Sequence, residues 1–170
     1  IVTYNTAVGY QALQGSATAS ANTGNNNTAT GYQSLKNTTS GYGNSGYGVS
    51  ALGSNTTGAY NTGMGFQSLT NSTTGNYNVG IGMYALRSLS TGSNNVGIGY
   101  HTMSSNGTGS NNVAIGFGAD IGNGVSNAIA IGQSASNSTS NSIVLGNTNI
   151  TRVSTTGAYV TSNNTNATSV

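Results

Sequence analysis

Nine glycines, Gly9, Gly31, Gly48, Gly65, Gly82, Gly99, Gly116, Gly132 and Gly146, each close a short strand-like phrase, and successive ones lie 22, then five times 17, then 16 and 14 residues apart. A period this constant, with no helical heptad inside it, is the signature of a repeat whose unit is one turn of a coil stacked on its neighbours. The expected fold is therefore all-β: a parallel β-solenoid of about nine coils of 14–17 residues, with layers about 5 Å apart. Residues 1–149 form the repeat domain, and residues 150–170 read as a terminal strand or transition segment followed by a linker.

The same phase governs the other positions. Asn5, Asn27, Asn44, Asn61, Asn78, Asn95 and Asn112 each stand four residues before their glycine, so stacking brings seven amides into one column. Asn ladders of this kind pass hydrogen bonds from layer to layer. Seven residues before the glycine stand Gly24, Gly41, Gly58, Gly75, Gly92 and Gly109, each after Ser or Thr, which reads as a turn that needs positive φ. The five extra residues between Gly9 and Gly31, within Gln14 to Ala21, are expected to bulge out as a surface loop.

Strand side chains alternate faces. In Asn112-Val113-Ala114-Ile115-Gly116, Val113 and Ile115 share one face, and the other face is small: Ala7, Ala29, Gly46, Gly63, Gly80, Gly97, Ala114 and Ala130. Reading both faces as buried, we expect the large one to fill the coil and the small one to meet another surface closely. The large position changes from Thr6, Thr28, Ser45 and Thr62 to Val79, Val96, Val113, Ile129 and Ile143, which predicts a better core in the second half of the chain. Leu13, Leu35, Leu52, Leu69, Leu86 and Met103 end a second phrase after the glycine and should close the core from the opposite wall.

Composition excludes several functions. Charged residues make up 2 % of the chain: Lys36, Arg87 and Arg152 are the cations and Asp120 the only side-chain carboxylate, so the net charge of +2 is no basic patch and phosphate-driven binding of nucleic acid has no basis. No apolar run is long enough to span a bilayer, and no basic stretch followed by an apolar one opens the chain as a secretion signal would. Abundant Gly, Asn and Ser with little charge also suits disorder, but a disordered tract has no reason to keep register. With no cysteine, no disulfide staples the fold.

The phrases Asn112-Val113-Ala114-Ile115-Gly116, Ala128-Ile129-Ala130-Ile131-Gly132 and Ser142-Ile143-Val144-Leu145-Gly146 resemble the head repeats of trimeric autotransporter adhesins of the YadA type. The 17-residue version, with Tyr10-Gln11-Ala12-Leu13 or Phe66-Gln67-Ser68-Leu69, is similar to repeats of phage tail-fibre and related surface-fibre proteins. The resemblance spans roughly Asn5 to Asn149 and implies a left-handed parallel β-roll, three chains packed side by side, an extracellular location on a cell surface or virion fibre, and a role in attachment to a host receptor or glycan. The polar large face of the first four coils departs from the pattern, and nothing resembles the family's coiled-coil stalk or membrane anchor. Energetics also favour several chains, because ordering a 17-residue coil costs more than its few apolar side chains return by burial.

Chemistry-bearing residues are sparse. Gly80-Ile81-Gly82-Met83-Tyr84-Ala85 fits a phosphate-cradling pattern, but it arises from the Gly-Ile-Gly of the repeat and no ribose-binding acid follows. His101 is the sole histidine and Asp120 the sole acid, so one chain offers neither a metal set nor a carboxylate pair, and no Ser is marked as a poised nucleophile. No enzyme activity, cofactor or metal is expected. Tyr10, Tyr32, Phe66, Met83, Tyr100 and Phe117, just after the glycines, read as an aromatic ladder packing coil on coil. Tyr60 and Tyr77 are expected to be exposed and are the residues predicted to contact a ligand. Asn37, Asn55, Asn71, Asn106 and Asn137 lie in N-x-S/T triplets, which a chain rich in Asn, Ser and Thr generates by chance.

These observations favour a structural or adhesive segment of an extracellular trimeric fibre. A self-stacking filament subunit is the alternative, since an uncapped solenoid end is a strand edge ready to pair. Ice binding is a third reading, from the column Thr23, Thr57, Thr74, Thr91 and Thr108 eight residues before the glycines.

Overall fold

The computed structural model describes residues 4–150. The reading of 151–170 as a strand pair and linker falls outside the described residues. Within them the protein is all-β apart from one short 3-10 turn, and it winds as a parallel β-solenoid of about seven turns. Its principal strands are β1 (Thr6–Val8), β2 (Thr28–Thr30), β3 (Ser45–Tyr47), β4 (Thr62–Met64), β5 (Val79–Ile81), β6 (Val96–Ile98), β7 (Val113–Ile115), β9 (Ala128–Ile131) and β11 (Ser142–Leu145), and they pair in that order in one parallel sheet. A two-stranded sheet of β8 (Asp120–Ile121) and β10 (Ser136–Asn137) adds a second wall near the end. Register follows the sequence period: Thr62 pairs with Val79, Val79 with Val96 and Val96 with Val113.

Each strand is short because the ladder glycine ends it. Gly65 has φ of +132°, which side chains rarely tolerate, and a Cβ there would stand 2.5 Å from the carbonyl oxygen of Gly82 in the next coil. The following phrase is not a strand. In Phe66-Gln67-Ser68-Leu69, both Gln67 (φ 52°) and Leu69 (φ 53°) are left-handed, and Leu35, Leu52, Leu86 and Met103 repeat this conformation. The bend turns each of these side chains inward, and all five, Leu69 included, are fully buried. Layers remain bonded there too, as in Leu52 N–H to Ser68 O at 3.0 Å and Leu69 N–H to Ala85 O at 2.9 Å.

The orientation of the sheet corrects the sequence reading. The small residues face the interior and the large ones face out: in β5, Gly80 is buried, Val79 half-buried and Ile81 37 % exposed. A Cβ on Gly80 would meet Ser68 Oγ at 2.6 Å and Leu69 Cγ at 3.2 Å. The coil is narrow, and its width is already taken by the leucine column from the opposite wall, so only Gly or Ala fits across from it. Where the leucine gives way to unbranched Met103, the facing residue becomes Ala114, which is buried. The change from Thr62 to Val79 therefore improves the outward face and leaves the core untouched.

A second correction concerns the turn glycines. Gly41 and its equivalents have no positive φ; they are required because a Cβ at Gly41 would stand 2.5 Å from the carbonyl oxygen of Gly58 stacked beside it. Positive φ falls instead two residues later, at Gly43, Tyr60, Tyr77, Asn94 and Asn111. The predicted surface loop lies where the extra residues are: it carries the 3-10 turn Ala19–Ala21 and is tied by Asn22, which accepts from Ser16 N–H at 2.8 Å and donates to Ser16 O at 2.9 Å.

Candidate functional site

From Asn5 to Asn112 the interior column is asparagine in every coil, and each amide bonds to the next layer. Asn61 Oδ1 accepts the backbone N–H of Asn78 at 2.9 Å and its Nδ2–H at 3.1 Å. Asn61 Nδ2 in turn donates to Asn44 Oδ1 at 3.1 Å and to Gly75 O at 2.7 Å, so all four bonding positions of this fully buried amide are used. Asn44 and Asn78 repeat the set, and the column extends from Asn5, which accepts from Asn27 N–H at 2.7 Å, through Asn95 to Asn112, which accepts from Ala128 N–H at 2.9 Å. Aspartate would lack the donors and glutamine would be a methylene too long. The bond to Gly75 O also joins the column to the stacked turn glycines.

A second ladder escaped the sequence reading. Ala59 N–H donates to Asn76 Oδ1 at 2.8 Å, Asn76 N–H to Ser93 Oγ at 3.0 Å, Ser93 N–H to Ser110 Oγ at 3.0 Å, and Ser110 N–H to Ser126 Oγ at 3.0 Å. Here each coil donates forward to the next, whereas in the asparagine column it donates back to the preceding one. The two ladders flank the left-handed residue of the corner, such as Tyr77 between Asn76 and Asn78, and bind the corner in both directions. Their residues share a fixed offset six before the ladder glycine, which is the signal that marks them.

The outward sheet face is apolar in the second half of the described chain. Val79, Val96, Val113 and Ile129 line one column and Ile81, Ile98, Ile115 and Ile131 the next, all outward and without a charge among them. Exposure of the second column is 36–39 %. Toward the start of the chain the same face is mixed, with Thr6, Thr28, Thr30, Ser45 and Thr62 beside exposed Val8, Tyr47 and Met64.

Along one rim of this face run exposed aromatic rings. Tyr10 stacks on Tyr32 with centroids 5.8 Å apart, and Tyr100 stacks on Phe117 at 5.1 Å. Val49 and Met83 interrupt the predicted ladder, and Tyr84, one residue along, bridges the second gap by edge contacts to Phe66 at 5.4 Å and Tyr100 at 6.2 Å. Arg87 lies over Tyr84, its Cζ 5.1 Å from the ring centre. His101 is stacked on Tyr100 and edge-on to Tyr84, while Asp120 Oδ1 accepts the N–H of Ser105 at 3.1 Å. The Gly80 to Ala85 segment is solenoid wall, and among the described residues no helix follows it. Among the described residues no cluster of three His, Cys, Asp or Glu could hold a metal, and no helix is long and apolar enough to cross a membrane.

Tyr60 and Tyr77 occupy the left-handed corner, both with φ of 57°, and are exposed. Their rings stack with centroids 5.1 Å apart and planes 13° from parallel, and Tyr42 meets Tyr60 edge-on at 5.0 Å. The neighbouring Tyr42 phenol, then desolvation, then Tyr77 hold the Tyr60 hydroxyl above the ordinary tyrosine pKa. Of the N-x-S/T triplets, Asn55, Asn106 and Asn137 are buried, whereas Asn37 and Asn71 are exposed. Thr23, Thr57, Thr74, Thr91 and Thr108 are all exposed on their corner. In comparison with known proteins, no family model, no curated protein and no solved structure matches the chain.

Proposed function

We propose that the chain is a structural and adhesive segment of an extracellular trimeric fibre, a surface adhesin head or phage tail-fibre shaft that mediates attachment. Three copies lie side by side, each a left-handed roll of nine coils, with their outward apolar faces turned to a common axis. One observation carries this reading: paired Val and Ile columns cover one face over at least four successive coils, from Val79 and Ile81 to Ile129 and Ile131. Isolated exposed apolar residues are ordinary, but an uncharged apolar face continuous over several layers is the kind that a partner covers. A partner built on the same repeat offers columns with the same spacing. The aromatic rim and the tyrosine corner of Tyr60 and Tyr77 remain on the outside for contact with a receptor or glycan.

Light scattering tests the proposal. A mass near three times 16.8 kDa supports it, and a monomer at working concentration overturns it. Ice binding draws support from the exposed threonine column, which offers one hydroxyl per layer. Thermal hysteresis in the purified protein would favour it.

A further inference from the structure

We propose that Tyr60 and Tyr77 form an oxidative coupling site, where a peroxidase using hydrogen peroxide joins the two phenols into a dityrosine that fastens adjacent coils. The inference does not depend on how many chains assemble. Coupling requires two phenols that are accessible to an oxidant and held ring against ring for the lifetime of a radical. Tyr60 and Tyr77 are 48 % and 58 % exposed, and their rings are stacked at 5.1 Å and 13°. The backbone holds that arrangement: both residues have φ of 57°, Tyr60 N–H donates to Tyr42 O at 3.0 Å, and Tyr77 N–H donates to Ala59 O at 3.0 Å. The coils beneath are registered by Thr62 pairing with Val79.

The chemistry balances. Each phenol gives up one electron and its hydroxyl proton to become a phenoxyl radical. The two radicals join through the ring carbons ortho to oxygen, forming one carbon–carbon bond, and the two ring hydrogens move to the oxygens as aromaticity returns. The protein loses two hydrogen atoms, and one hydrogen peroxide is reduced to two water molecules. The product closes a 17-residue loop from one coil to the next.

Native protein treated with peroxidase and hydrogen peroxide should develop dityrosine fluorescence. After unfolding and digestion with trypsin, the peptide between Lys36 and Arg87, which contains both residues, should be lighter by two hydrogen atoms with no partner peptide attached. Tyr60→Phe and Tyr77→Phe should each remove that product. Tyr77→Asn, which installs the residue that Asn94 supplies at the same corner, should do so as well, whereas Tyr47→Phe and Tyr84→Phe should leave it. The proposal is overturned if the product persists without Tyr77, if coupling occurs only between chains, or if urea-unfolded protein forms the same product as efficiently as folded protein.

Discussion

Asn61 and Asn78, 17 residues apart in sequence, are joined by two hydrogen bonds to one oxygen: the backbone N–H and the side-chain amide of Asn78 both donate to Asn61 Oδ1, at 2.9 and 3.1 Å. This relationship, repeated up the column, makes the interior of a nearly uncharged coil both polar and satisfied. Truncating Asn61 to Ala leaves the N–H of Asn78 and the carbonyl of Gly75 without these partners, at about 1–3 kcal/mol for each buried group unpaired. Thr57→Ala, at an exposed position without positive φ, should stay within about 0.5 kcal/mol. Urea denaturation of both variants checks the contrast, and equal stabilities would refute the role given to the column.

The inward and outward faces of the sheet can be told apart by mutation. Gly80→Val places a branched side chain where a Cβ alone would stand 2.6 Å from Ser68 Oγ, and should cost at least the ~1–3 kcal/mol of an overpacked core. Ile81→Ser combined with Ile98→Ser should leave the circular dichroism spectrum of the fold intact and reduce the mass measured by light scattering. A monomer-sized wild type, or a double variant that retains full mass, contradicts the proposed assembly.

Gly65 and Gly53 separate layer glycines from incidental ones. Gly65→Ala must adopt φ near +132° with its methyl 2.5 Å from the Gly82 carbonyl oxygen, which should cost about 1–3 kcal/mol in backbone strain before the clash is relieved. At Gly53 φ is not positive and the nearest neighbour of an added Cβ, Ser50 O, is 3.2 Å away, so Gly53→Ala should be far milder. Thermal unfolding of the two single variants provides the comparison.

Alkaline titration should report on the tyrosine corner. The Tyr42 phenol beside it, first of all, raises the pKa of Tyr60. The folded protein therefore keeps this proton after the unfolded chain, with its phenol near ~10, has begun to release it. Between the unfolded and folded values the native state binds more protons, so stability declines as pH climbs through that window. Tyr60→Phe should lessen the decline, measured by urea midpoints on either side of pH 10, and an unchanged slope would count against the effect.

The sequence period was sufficient for the layer spacing, the parallel stacking and the two columns most exacting in residue type, because each layer imposes the same chemical demand at the same offset. Asn recurs where four hydrogen bonds must be met, and Gly recurs where φ is near +130° or where a stacked carbonyl leaves no room for a Cβ. Alternation within a strand also showed correctly that Val79 and Ile81 share one face and Gly80 takes the other.

Which face pointed inward was decided only by the tertiary structure. Three-residue strands carry no directional signal of their own, and the rule that large apolar side chains lie inside assumes a space wide enough to hold them. In this coil the left-handed turns at Leu52, Leu69 and Leu86 deliver one leucine per layer from the opposite wall and fill that space, and nothing in a leucine's identity announces a φ near 54°. With the interior occupied, the sheet contributes only Gly and Ala inward, and Val and Ile are turned to the outside, because two bulky walls cannot share so narrow a section.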